Sequence, residues 1–519
     1  MFLRYAIGLR TFLRSPLSED DCRRIIAEAS QNRERTFLQL LKRGVFDFPQ
    51  SPYLALLRWA RVEYGDIERM VIAGGIETAM ERLAGAGVHL SLDEFKGRRQ
   101  IERPGLSLEV TAEDFDNPLL AGEFEVESGG STGARRRMKI DFDLLTYDAA
   151  CHFATFAAAG VADRPLGIWR GVPPDSSGLK HGLLAAKLGT PMERWFSPTR
   201  ASWRGEAFKF AVLTAYSVHA AGLWGGRIPK PEYVPLSDGR PVARWLAEKA
   251  ARGDPAVLSA AASNAVSACV AAKEAGLDIA GTVFRVSGEP FTEAKHRLVA
   301  GLGARTFSAW SMAEAGPLGG GCANREAVDE VHLFSGKIAA FQRSRLLPDG
   351  QSEIAALYLT TVITSTPKIM LNLDSGDYGV LTKRRCGCPL ELAGFHDHLH
   401  TIRNYEKLTA GGMHFMGSDV IRLVEEILPA AHGGLPTDYQ FVEEHKESIT
   451  RVSILVSPRV GDVDESQVVN TVLRFLGAQG HGDRLMTTFW EQGRTLRVVR
   501  GEPYVTPASK TPPLRVLGR

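Results

Sequence analysis

Near the beginning of the chain, apolar and charged residues follow one another with a helical period. From Asp20 to about Gly87, apolar residues recur at three- and four-residue spacing between charged positions, as in CRRIIAEAS, TFLQLLKRGV, LALLRWARVEYG and IETAMERLAGAG. This spacing places apolar side chains on one face of a helix. The preceding segment, MFLRYAIGLRTFLRSP, is interpreted as an ordinary first helix. We therefore predict a helical entry region.

Farther along, the pattern becomes that of a sheet covered by helices. Short apolar and β-branched runs between Leu106 and Ile140 favour strands and loops. Between Phe142 and about Leu302, helix-like segments such as YDAACHFATFAAAG alternate with short runs such as PLGIWRG and GTVFRVSG. This alternation predicts an α/β fold. The runs VHLFSG, KIAAFQR, IAALYLTTVI and YGVLTK then predict successive strands between residues 330 and 383.

After about Arg403 the pattern predicts a compact α+β unit. Helices are expected near VIRLVEEIL and QVVNTVLRFLG, and strands near TRVSILVS and RTLRVVRG. We therefore predict two domains, a large N-terminal α/β domain over residues 1–402 and a small α+β C-terminal domain over residues 403–519.

Composition and charge exclude several classes of protein. The 519 residues are 44% apolar, enough for a large core and a second domain, and Lys plus Arg total 62 against 60 for Asp plus Glu. A net charge of +2 provides no field that would gather nucleic acid. Arginines interrupt the apolar N-terminus, and no later segment approaches the roughly 20 apolar residues of a membrane span. A cytoplasmic protein without nucleic-acid or membrane partners is predicted.

A glycine-rich segment carries the first sign of chemistry. It reads Ser128-Gly129-Gly130-Ser131-Thr132-Gly133-Ala134-Arg135-Arg136 and lies between the strand-like GEFEVE and MKIDFD. Glycines allow several N–H groups to point at one anion, while hydroxyls and arginines add donors and charge. A phosphate-binding loop is predicted, although a solvent-exposed turn explains the same residues. The segment has neither a Walker-type Gly-Lys-Ser/Thr ending nor a G-x-G-x-x-G pattern.

This loop resembles the S-S-G-T-T-G-x-P-K loop of adenylate-forming enzymes, and further segments follow in that family's order. They are Ser287-Gly288-Glu289-Pro290, similar to G-G-E-P; Trp310-Ser311-Met312-Ala313-Glu314, similar to Y-G-x-T-E; Leu373-Asp374-Ser375-Gly376-Asp377-Tyr378-Gly379, similar to Y-R-T-G-D-L-G; Arg403; and Lys510 in VTPASKTPPL. Together with the loop, they span residues 128 to 510. The chain resembles the phenylacetate-coenzyme A ligase branch of the adenylate-forming superfamily.

The resemblance implies both a fold and an activity. The fold would be a large adenylate-forming N-terminal domain of several subdomains with a small mobile C-terminal domain. The activity would be attack of a carboxylate on the α-phosphate of ATP, which gives an acyl-adenylate and pyrophosphate, followed by transfer to an acceptor. The C-terminal domain would rotate about the junction near Arg403 to Glu406 between the two steps. The protein would therefore be an AMP-forming ligase that uses ATP and Mg2+.

The same resemblance implies the roles of individual residues. Lys510, Glu314 and Arg135 would be catalytic, and Glu314 would also hold Mg2+. Asp377 would bind the ribose hydroxyls, and Arg403 would contact the nucleotide. The remaining nucleotide-binding positions would be Ser128, Gly129, Gly130, Ser131, Thr132, Gly133, Ser287, Gly288, Glu289, Pro290, Trp310 and Ser311.

Three departures from the family pattern bear on this assignment. Ala313 replaces a threonine, which removes a hydrogen-bond donor of about 0.5 to 1.5 kcal/mol net. Arg135 and Arg136 replace proline and lysine, which keeps positive charge but changes its shape. Ser509 stands where the family has a glycine before its lysine, so a solvated tail lysine is the alternative for Lys510.

The acid and the acceptor are left open. Coenzyme A is the first candidate for the acceptor; a carrier-protein thiol, an amine and, on the acid side, a nitrite-type inorganic acid are alternatives. An aryl acid would suit a pocket drawing on Trp169, Trp195, Trp203, His219 and Trp224, although core packing explains tryptophans equally well. A non-catalytic nucleotide-binding homologue is the alternative from another class, and the sequence leaves both a monomer and a homodimer open.

Six cysteines are too few to staple a chain of this length. Cys22, Cys151 and Cys269 lie in apolar surroundings and are interpreted as small buried hydrophobes. The others, with one histidine, are Cys322, His332, Cys386 and Cys388. Three thiolates and an imidazole can form a closed tetrahedral zinc site, and some members of the resembled branch have such a set.

A structural Zn2+ is therefore expected, with two buried cysteines in a C-x-C pair as the alternative. His396, His398 and His400 alternate in GFHDHLH and offer competing ligands. They are interpreted as surface or loop histidines.

Overall fold

The computed structural model describes most of the chain. The described residues are 2–120, 124–128, 136–173, 175, 177–200, 208–346, 353–405, 409–410, 413–414, 417–446, 449–477, 496–506 and 510–517. The α-helices are α1 (Phe2–Arg14), α2 (Glu19–Gln31), α3 (Arg33–Leu41), α4 (Pro52–Trp59), α5 (Tyr64–Gly85), α6 (Leu92–Phe95), α7 (Phe142–Ala158), α8 (Ser177–Lys187), α9 (Phe208–Leu223), α10 (Arg240–Ala251), α11 (Ala262–Glu274), α12 (Glu293–Ala300), α13 (Pro389–Leu392), α14 (Gly417–Arg422), α15 (Leu428–His432) and α16 (Glu465–Gly477).

The strands divide among one large sheet and several small ones. They are β1 (Ile101–Arg103), β2 (Leu106–Leu108), β3 (Phe124–Ser128), β4 (Arg136–Ile140), β5 (Leu166–Trp169), β6 (Met192–Ser197), β7 (Pro231–Tyr233), β8 (Val257–Ala261), β9 (Val283–Ser287), β10 (Arg305–Met312), β11 (Gly316–Gly320), β12 (Val331–Leu333), β13 (Ile338–Leu346), β14 (Glu353–Thr361), β15 (Leu373–Lys383), β16 (Asp397–Asn404), β17 (Thr409–Ala410), β18 (Met413–His414), β19 (Tyr439–Lys446), β20 (Ile449–Val456), β21 (Leu496–Arg500) and β22 (Leu514–Leu517).

The large sheet has twelve strands in the order β13-β14-β15-β16-β12-β11-β10-β9-β8-β5-β6-β7. From β7 to β10 the neighbours are parallel, and from β10 to β13 they are antiparallel. All residues of the parallel strands β5, β8 and β9 are buried, as expected for strands covered on both faces. The predicted α/β fold class is confirmed.

Helices cover both faces of the parallel strands. Ile168, Val257 and Val283 pack with α1, α7, α8 and α9, whereas their chain neighbours Trp169, Leu258 and Phe284 pack with α10, α11 and α12. This division follows from the alternation of side chains along a strand. The faces are named after helices α8 and α11 below. Both tryptophans of this region that were candidates for an aromatic pocket, Trp169 and Trp195, lie in these cores.

The helical entry region is confirmed by α2 to α5. Most of its apolar residues pack in one core with strands β13, β14 and β15, and α1 buries Tyr5, Leu9, Phe12 and Leu13 against α7 and α8. Two π-helical turns, Lys42–Phe46 and Leu423–Ile427, continue the helices α3 and α14. Within the described ranges, no helix combines the length and apolarity that a membrane span requires.

The C-terminal region forms a separate small core. A four-stranded sheet in the order β21-β20-β19-β22 packs with α14, α15, α16 and the second π-helical turn, so the predicted α+β unit is confirmed. The predicted boundary after residue 402 falls within strand β16, which ends at Asn404. The boundary and the mobility of this unit stay predictions.

Candidate active site

The S-G-E-P segment lies at the carboxyl end of the parallel strands. Ser287 ends β9, and Gly288 has a φ of +83°, a conformation that strongly favours glycine. In the sheet, Ser287 pairs with Ala309 of β10 and with Ala261 of β8. The carboxyl ends of neighbouring parallel strands therefore meet at this turn, which is where open α/β sheets bind ligands.

Lys510 lies directly over this turn. A Cβ atom built on Gly288 would lie 3.0 Å from Cε and 3.3 Å from Nζ of Lys510, so the lysine side chain lies in close contact with this glycine. The Lys510 backbone is held by two hydrogen bonds with Thr506, one of 2.8 Å from the Thr506 amide and one of 3.1 Å to the Thr506 hydroxyl. The structure thus brings Lys510, the last member of the motif series, next to the S-G-E-P segment from the middle of the series.

Glu289 holds three chain segments at this position. One carboxylate oxygen accepts the Ser263 amide at 2.7 Å, at the first turn of α11, and the other accepts the Ser263 hydroxyl at 3.0 Å. This second oxygen also accepts the Thr511 amide at 2.6 Å. Because Thr511 follows Lys510, the contact anchors the C-terminal segment beside the turn. The sequence predicts that Glu289 binds the nucleotide, whereas in the structure its carboxylate binds Ser263 and Thr511 of the protein itself.

Arg170 is a site residue that the sequence analysis did not identify. It follows the buried strand β5, and its Nη2 donates to the Ala260 carbonyl at 2.7 Å and to the Ser287 hydroxyl at 2.5 Å. Nη1 lies 3.9 Å from the Cβ position of Gly288. Burial lowers the pKa of Arg170 to about 10. A charged residue directly after an apolar strand run was the available signal, because parallel strands point their carboxyl ends at the site.

The W-S-M-A-E segment lies at the end of β10, the strand that pairs with β9 next to the S-G-E-P turn. The pairing of β10 with β11 shifts register between Trp310 and Ser311, and Glu314 lies in the turn that joins the two strands. Trp310 is partly buried against the entry-region core, while Ser311 is exposed. Among the described residues, Glu314 has no hydrogen-bond or ion-pair partner. Its carboxylate is of the type that Mg2+ prefers.

Asp377 and Arg403 lie on adjacent strands. Asp377 of β15 pairs in register with Asn404 of β16 and accepts a 2.8 Å hydrogen bond from the Asn404 amide nitrogen. Arg403 donates from Nη1 to Asp329 at 2.8 Å. Arg403 itself pairs with Tyr378, so its side chain points to the opposite face of the sheet from Asp377, and its ion pair was not predicted from the sequence.

The glycine-rich loop is flanked by the strands that the sequence predicted. Ser128 ends β3 and pairs with Arg136, the first residue of β4. Gly129, Gly130, Ser131, Thr132, Gly133 and Arg135 lie outside the described residues. Trp203 of the predicted aromatic pocket lies outside them as well, whereas His219 is exposed and Trp224 is half-buried.

The four predicted zinc ligands form one cluster. Their ligand atoms all lie within 4.8 Å of one another. Nε2 of His332 is 3.4 Å from the sulfur of Cys322, 3.6 Å from that of Cys386 and 3.3 Å from that of Cys388. A tetrahedral Zn2+ with ordinary bond lengths would place nitrogen and sulfur ligands about 3.6 Å apart. The donor set and its spacing therefore fit this metal.

The surroundings of the cluster orient its ligands. Nδ1 of His332 lies 2.7 Å from the Phe395 carbonyl, which directs Nε2 towards the thiols, as in many zinc sites. Hydrogen bonds with the Cys322 thiol and with His332 hold the pKa of Cys388 well below its ordinary value. The cluster lies in the core formed with α2 and α7.

Cys22, Cys151 and Cys269 are buried free thiols, as predicted. The expectation of surface or loop histidines is wrong for His398. Its ring is fully buried in strand β16, where Nδ1 lies 2.6 Å from Glu330, so it supports the cluster from a neighbouring position. Because β16 pairs with β12, His398 lies inside the large sheet. The alternation of histidines in the sequence does not show whether neighbouring elements cover the strand that carries them.

The fold and site thus define an α/β protein in which a lysine of the small C-terminal unit lies at the carboxyl ends of the parallel strands. No family model matches the chain, and no curated protein matches it. Several solved structures resemble it. One is 2-hydroxyisobutyryl-CoA ligase in complex with 2-HIB-AMP and CoA, at 14% identity and a TM-score of 0.44, over 94% of this chain and 90% of that chain.

Two others are similar at 10% identity. The anthranilate CoA ligase AuaEII, in complex with anthranoyl-AMP, has a TM-score of 0.46 over 75% of this chain and 65% of that chain. O-succinylbenzoate coenzyme A synthetase (MenE) from Bacillus subtilis, in complex with ATP and magnesium ion, has a TM-score of 0.44 over 75% and 68%.

Proposed function

We propose that this protein is an ATP-dependent, AMP-forming ligase of the adenylate-forming superfamily. It activates a carboxylic acid as its acyl-adenylate and then passes the acyl group to an acceptor. The observation that carries the proposal is the placement of Lys510 over Gly288, with Thr511 bound to Glu289. This arrangement joins the last motif of the series to one in the middle, at the end of the sheet where ligands bind.

In the first half-reaction, an oxygen of the substrate carboxylate forms a bond to the α-phosphorus of ATP. The bond from that phosphorus to the bridging oxygen breaks, and pyrophosphate leaves. Lys510 and Arg170 present positive charge where negative charge is shared between carboxylate and phosphate, so their contribution is positioning and electrostatic stabilisation. Protein nucleophiles are not required for this step.

The remaining predicted residues would bind the nucleotide. The segment from Ser128 to Gly133 and Arg135 would surround the phosphates, and Asp377 would hold the ribose. Glu314 would hold Mg2+, whose chemistry is neutralisation of phosphate charge. Ser287, Pro290, Trp310 and Ser311 would border the adenine, and Arg403 would act from its ion pair with Asp329.

The second half-reaction requires a different arrangement of the C-terminal unit. In the described state, the Glu425 carboxylate accepts a 2.8 Å hydrogen bond from Lys295 of α12 and another from the Thr292 hydroxyl, all three groups being buried. These contacts and that of Thr511 with Glu289 would break during rotation about residues 403–406. We propose coenzyme A as the acceptor, with a carrier-protein thiol or an amine as the alternative.

We also propose that Cys322, His332, Cys386 and Cys388 hold a structural Zn2+. Four protein ligands leave no open coordination position, so the metal would join the sheet to the core around α2 and α7 and would take no part in catalysis.

Acid-dependent release of pyrophosphate tests the proposed function. Purified protein, ATP and Mg2+ would be incubated with a panel of aryl, aliphatic and dicarboxylic acids, and the adduct would be identified by mass spectrometry. We expect pyrophosphate and an acyl-AMP with at least one acid class. ATP binding without acid-dependent pyrophosphate from the whole panel would contradict the proposal and favour a non-catalytic nucleotide-binding protein.

A further inference from the structure

Two buried arginines lie next to each other on the α8 face of the parallel sheet. Arg170 is 9% exposed and Arg285 is 8% exposed. Arg285 stands on β9 between Phe284 and Val286, which pack in the α11-face core, so its side chain points to the opposite face. Nε of each arginine is buried and has no hydrogen-bond partner among the described residues. Each guanidinium thus retains an unused donor inside the protein.

Other buried cations in the described part of the chain are compensated. Lys295 pairs with Glu425, Lys337 with Asp148, and Lys368 with Asp116. The fourth buried lysine, Lys187, donates to the carbonyls of Phe12 and Ser15 near the end of α1. These pairings show how this fold normally satisfies a buried positive charge.

No carboxylate of the described residues forms an ion pair with Arg170 or Arg285. The charged neighbour that affects Arg285 is Arg170, another cation, and burial lowers the pKa of Arg285 to about 9. Asp175 and Glu289 act on Arg170 from a distance, and both oxygens of Glu289 already accept other donors. Burying unpaired charge is costly, so this excess of positive charge indicates a site for an anion.

The groups that form hydrogen bonds with Arg285 are neutral. Nη1 of Arg285 donates to the Ser259 hydroxyl at 3.2 Å and to Nε2 of His181 at 3.0 Å. Since a guanidinium can only donate, Nε2 accepts, and Nδ1 of His181 donates to the Ser177 carbonyl at 2.8 Å. Burial, and then the charge of Arg285, hold the pKa of His181 well below its ordinary value. His152 beside it has an unpartnered buried Nε2.

The position of Arg285 relative to Lys510 defines the geometry of this site. Arg285 and Ser287 are two residues apart on β9 and point to the same face, about 6.6 Å from one another along the strand. Ser287 borders the turn beneath Lys510. Arg170 donates a hydrogen bond to the Ser287 hydroxyl and so links the region around Arg285 to this turn. An acid with its reacting carboxylate near Lys510 would therefore extend towards Arg285.

We propose that the acid substrate carries a second anionic group, a carboxylate in the first place, and that Arg285 binds it together with Arg170. The proposal rests on the proposed function, which it makes more specific. A planar guanidinium with free N–H groups matches a carboxylate in shape and charge. The substrate class is a short dicarboxylic acid or an aromatic acid with a second carboxylate, and not a simple aryl acid.

Matched acids provide the first test. Pyrophosphate release would be measured with succinate, glutarate and phthalate, each beside a partner whose second carboxylate is replaced, namely monomethyl succinate, monomethyl glutarate and benzoate. We expect at least one dicarboxylate to exceed its partner by about 100-fold in kcat/KM, in line with sites built to bind a polar group. A preference for the neutral-tailed acids would overturn the inference while leaving the proposed function intact.

Variants of Arg285 provide the second test. Arg285→Met removes the charge and keeps an unbranched side chain of similar length. We expect it to raise KM for the dicarboxylate at least 30-fold, to leave KM for ATP unchanged and to reverse the preference towards the neutral-tailed acid. Arg285→Lys should restore part of the preference. Arg305→Met, at an exposed arginine of the neighbouring strand β10, is the matched control and should change none of these values.

Binding without ATP separates the two proposals. Thermal shift and calorimetry with succinate or phthalate alone should show binding to the native protein and loss of binding in Arg285→Met, whose unfolding temperature without ligand checks that it folds. If no acid is adenylated but this binding pattern holds, the proposed function fails and the anion site stands. If Arg285→Met instead weakens ATP binding, or leaves dicarboxylate binding unchanged, the inference is wrong.

Discussion

The Cys and His cluster differs from the group of buried residues beneath Lys510, which includes Arg170 and Arg285 and is called the centre below. The difference lies in how their charged and polar groups are satisfied. In the cluster, Nε2 of His332 lies within 3.6 Å of three sulfur atoms, so the four side chains form a closed set that needs one cation. At the centre, Arg170 and Arg285 retain unused donors and lack ion pairs among the described residues. A closed set suits a structural role, whereas an open excess of positive charge suits a site for anionic substrates.

The two regions also differ in which chain segments supply their residues. The cluster is assembled from strand β12, which carries His332, from the segment after β11, which carries Cys322, and from the segment between β15 and α13, which carries Cys386 and Cys388. The centre needs the C-terminal unit, which contributes Lys510 through the bond between Thr511 and Glu289. Variants of the first region should therefore change stability, and variants of the second should change rate with little effect on folding.

The largest effect is expected at the centre. Lys510→Ala should reduce adenylate formation by about 10²- to 10³-fold, the usual loss when one electrostatic stabiliser of a transition state is removed. Pyrophosphate release with the preferred acid measures this, and the unfolding temperature should stay nearly unchanged because the Lys510 side chain is only half-buried. Lys273→Ala, at an exposed lysine of α11, is the control. Full adenylation by Lys510→Ala would exclude the role proposed for this residue.

The cluster should respond in the opposite way. Cys386→Ser should reduce bound zinc from about one ion per chain to near zero and lower the free energy of unfolding by several kcal/mol, because metal binding and folding are coupled. Metal analysis and chemical denaturation measure the two effects, and a chelator should reproduce them in the native protein. His396→Ala, at an exposed histidine close by, should keep both metal and stability. Native stability without metal would contradict a structural zinc.

The smallest effect is expected at α2, which packs against the cluster. Ser18 and Asp21 form a reciprocal capping box at its N-terminus. Hydrogen bonds from Ser18, and then from Arg24, lower the pKa of Asp21 from 3.8 to about 2. Since the folded pKa is the lower one, this stabilisation is fully present above about pH 4 and is lost as the pH falls towards 2.

Asp21→Asn should therefore be slightly less stable than the native protein at pH 6, and the difference should shrink steadily as the pH falls from about 4 through 2. Denaturant unfolding at both pH values measures it. Asp20→Asn, at the exposed neighbour outside the capping box, should show a smaller pH-dependent difference. An Asp21→Asn difference that does not vary with pH would show that the charge of Asp21 does not stabilise the helix.

Much of the fold could be predicted because its signals are local. Continuous apolar runs such as LGIW and VLSAA correspond to buried parallel strands, and the three- and four-residue spacing of residues 20–87 corresponds to helices. The order of strands is not a local property. The position of β16 between β15 and β12 follows from how distant segments pair, and it explains why His398 is buried.

The site was predictable in part. The motif series pointed to Ser287, Gly288 and Lys510, which the structure brings together, but it assigned Glu289 to the nucleotide although that carboxylate binds Ser263 and Thr511. Arg170 carries no motif. Its importance depends on the burial of its guanidinium and on the neighbours that it meets there.

By itself, the sequence determined the helices and strands, the order of the motifs and the four side chains suited to a metal. These follow from residue type and spacing, which act over a few positions. Only the tertiary structure decided that Thr511 reaches Glu289 across 222 positions of the chain and that Arg285 is buried without an ion pair in the described residues. Such facts depend on which segments pack together and which charges are left uncompensated, and the packing of the whole domain sets both.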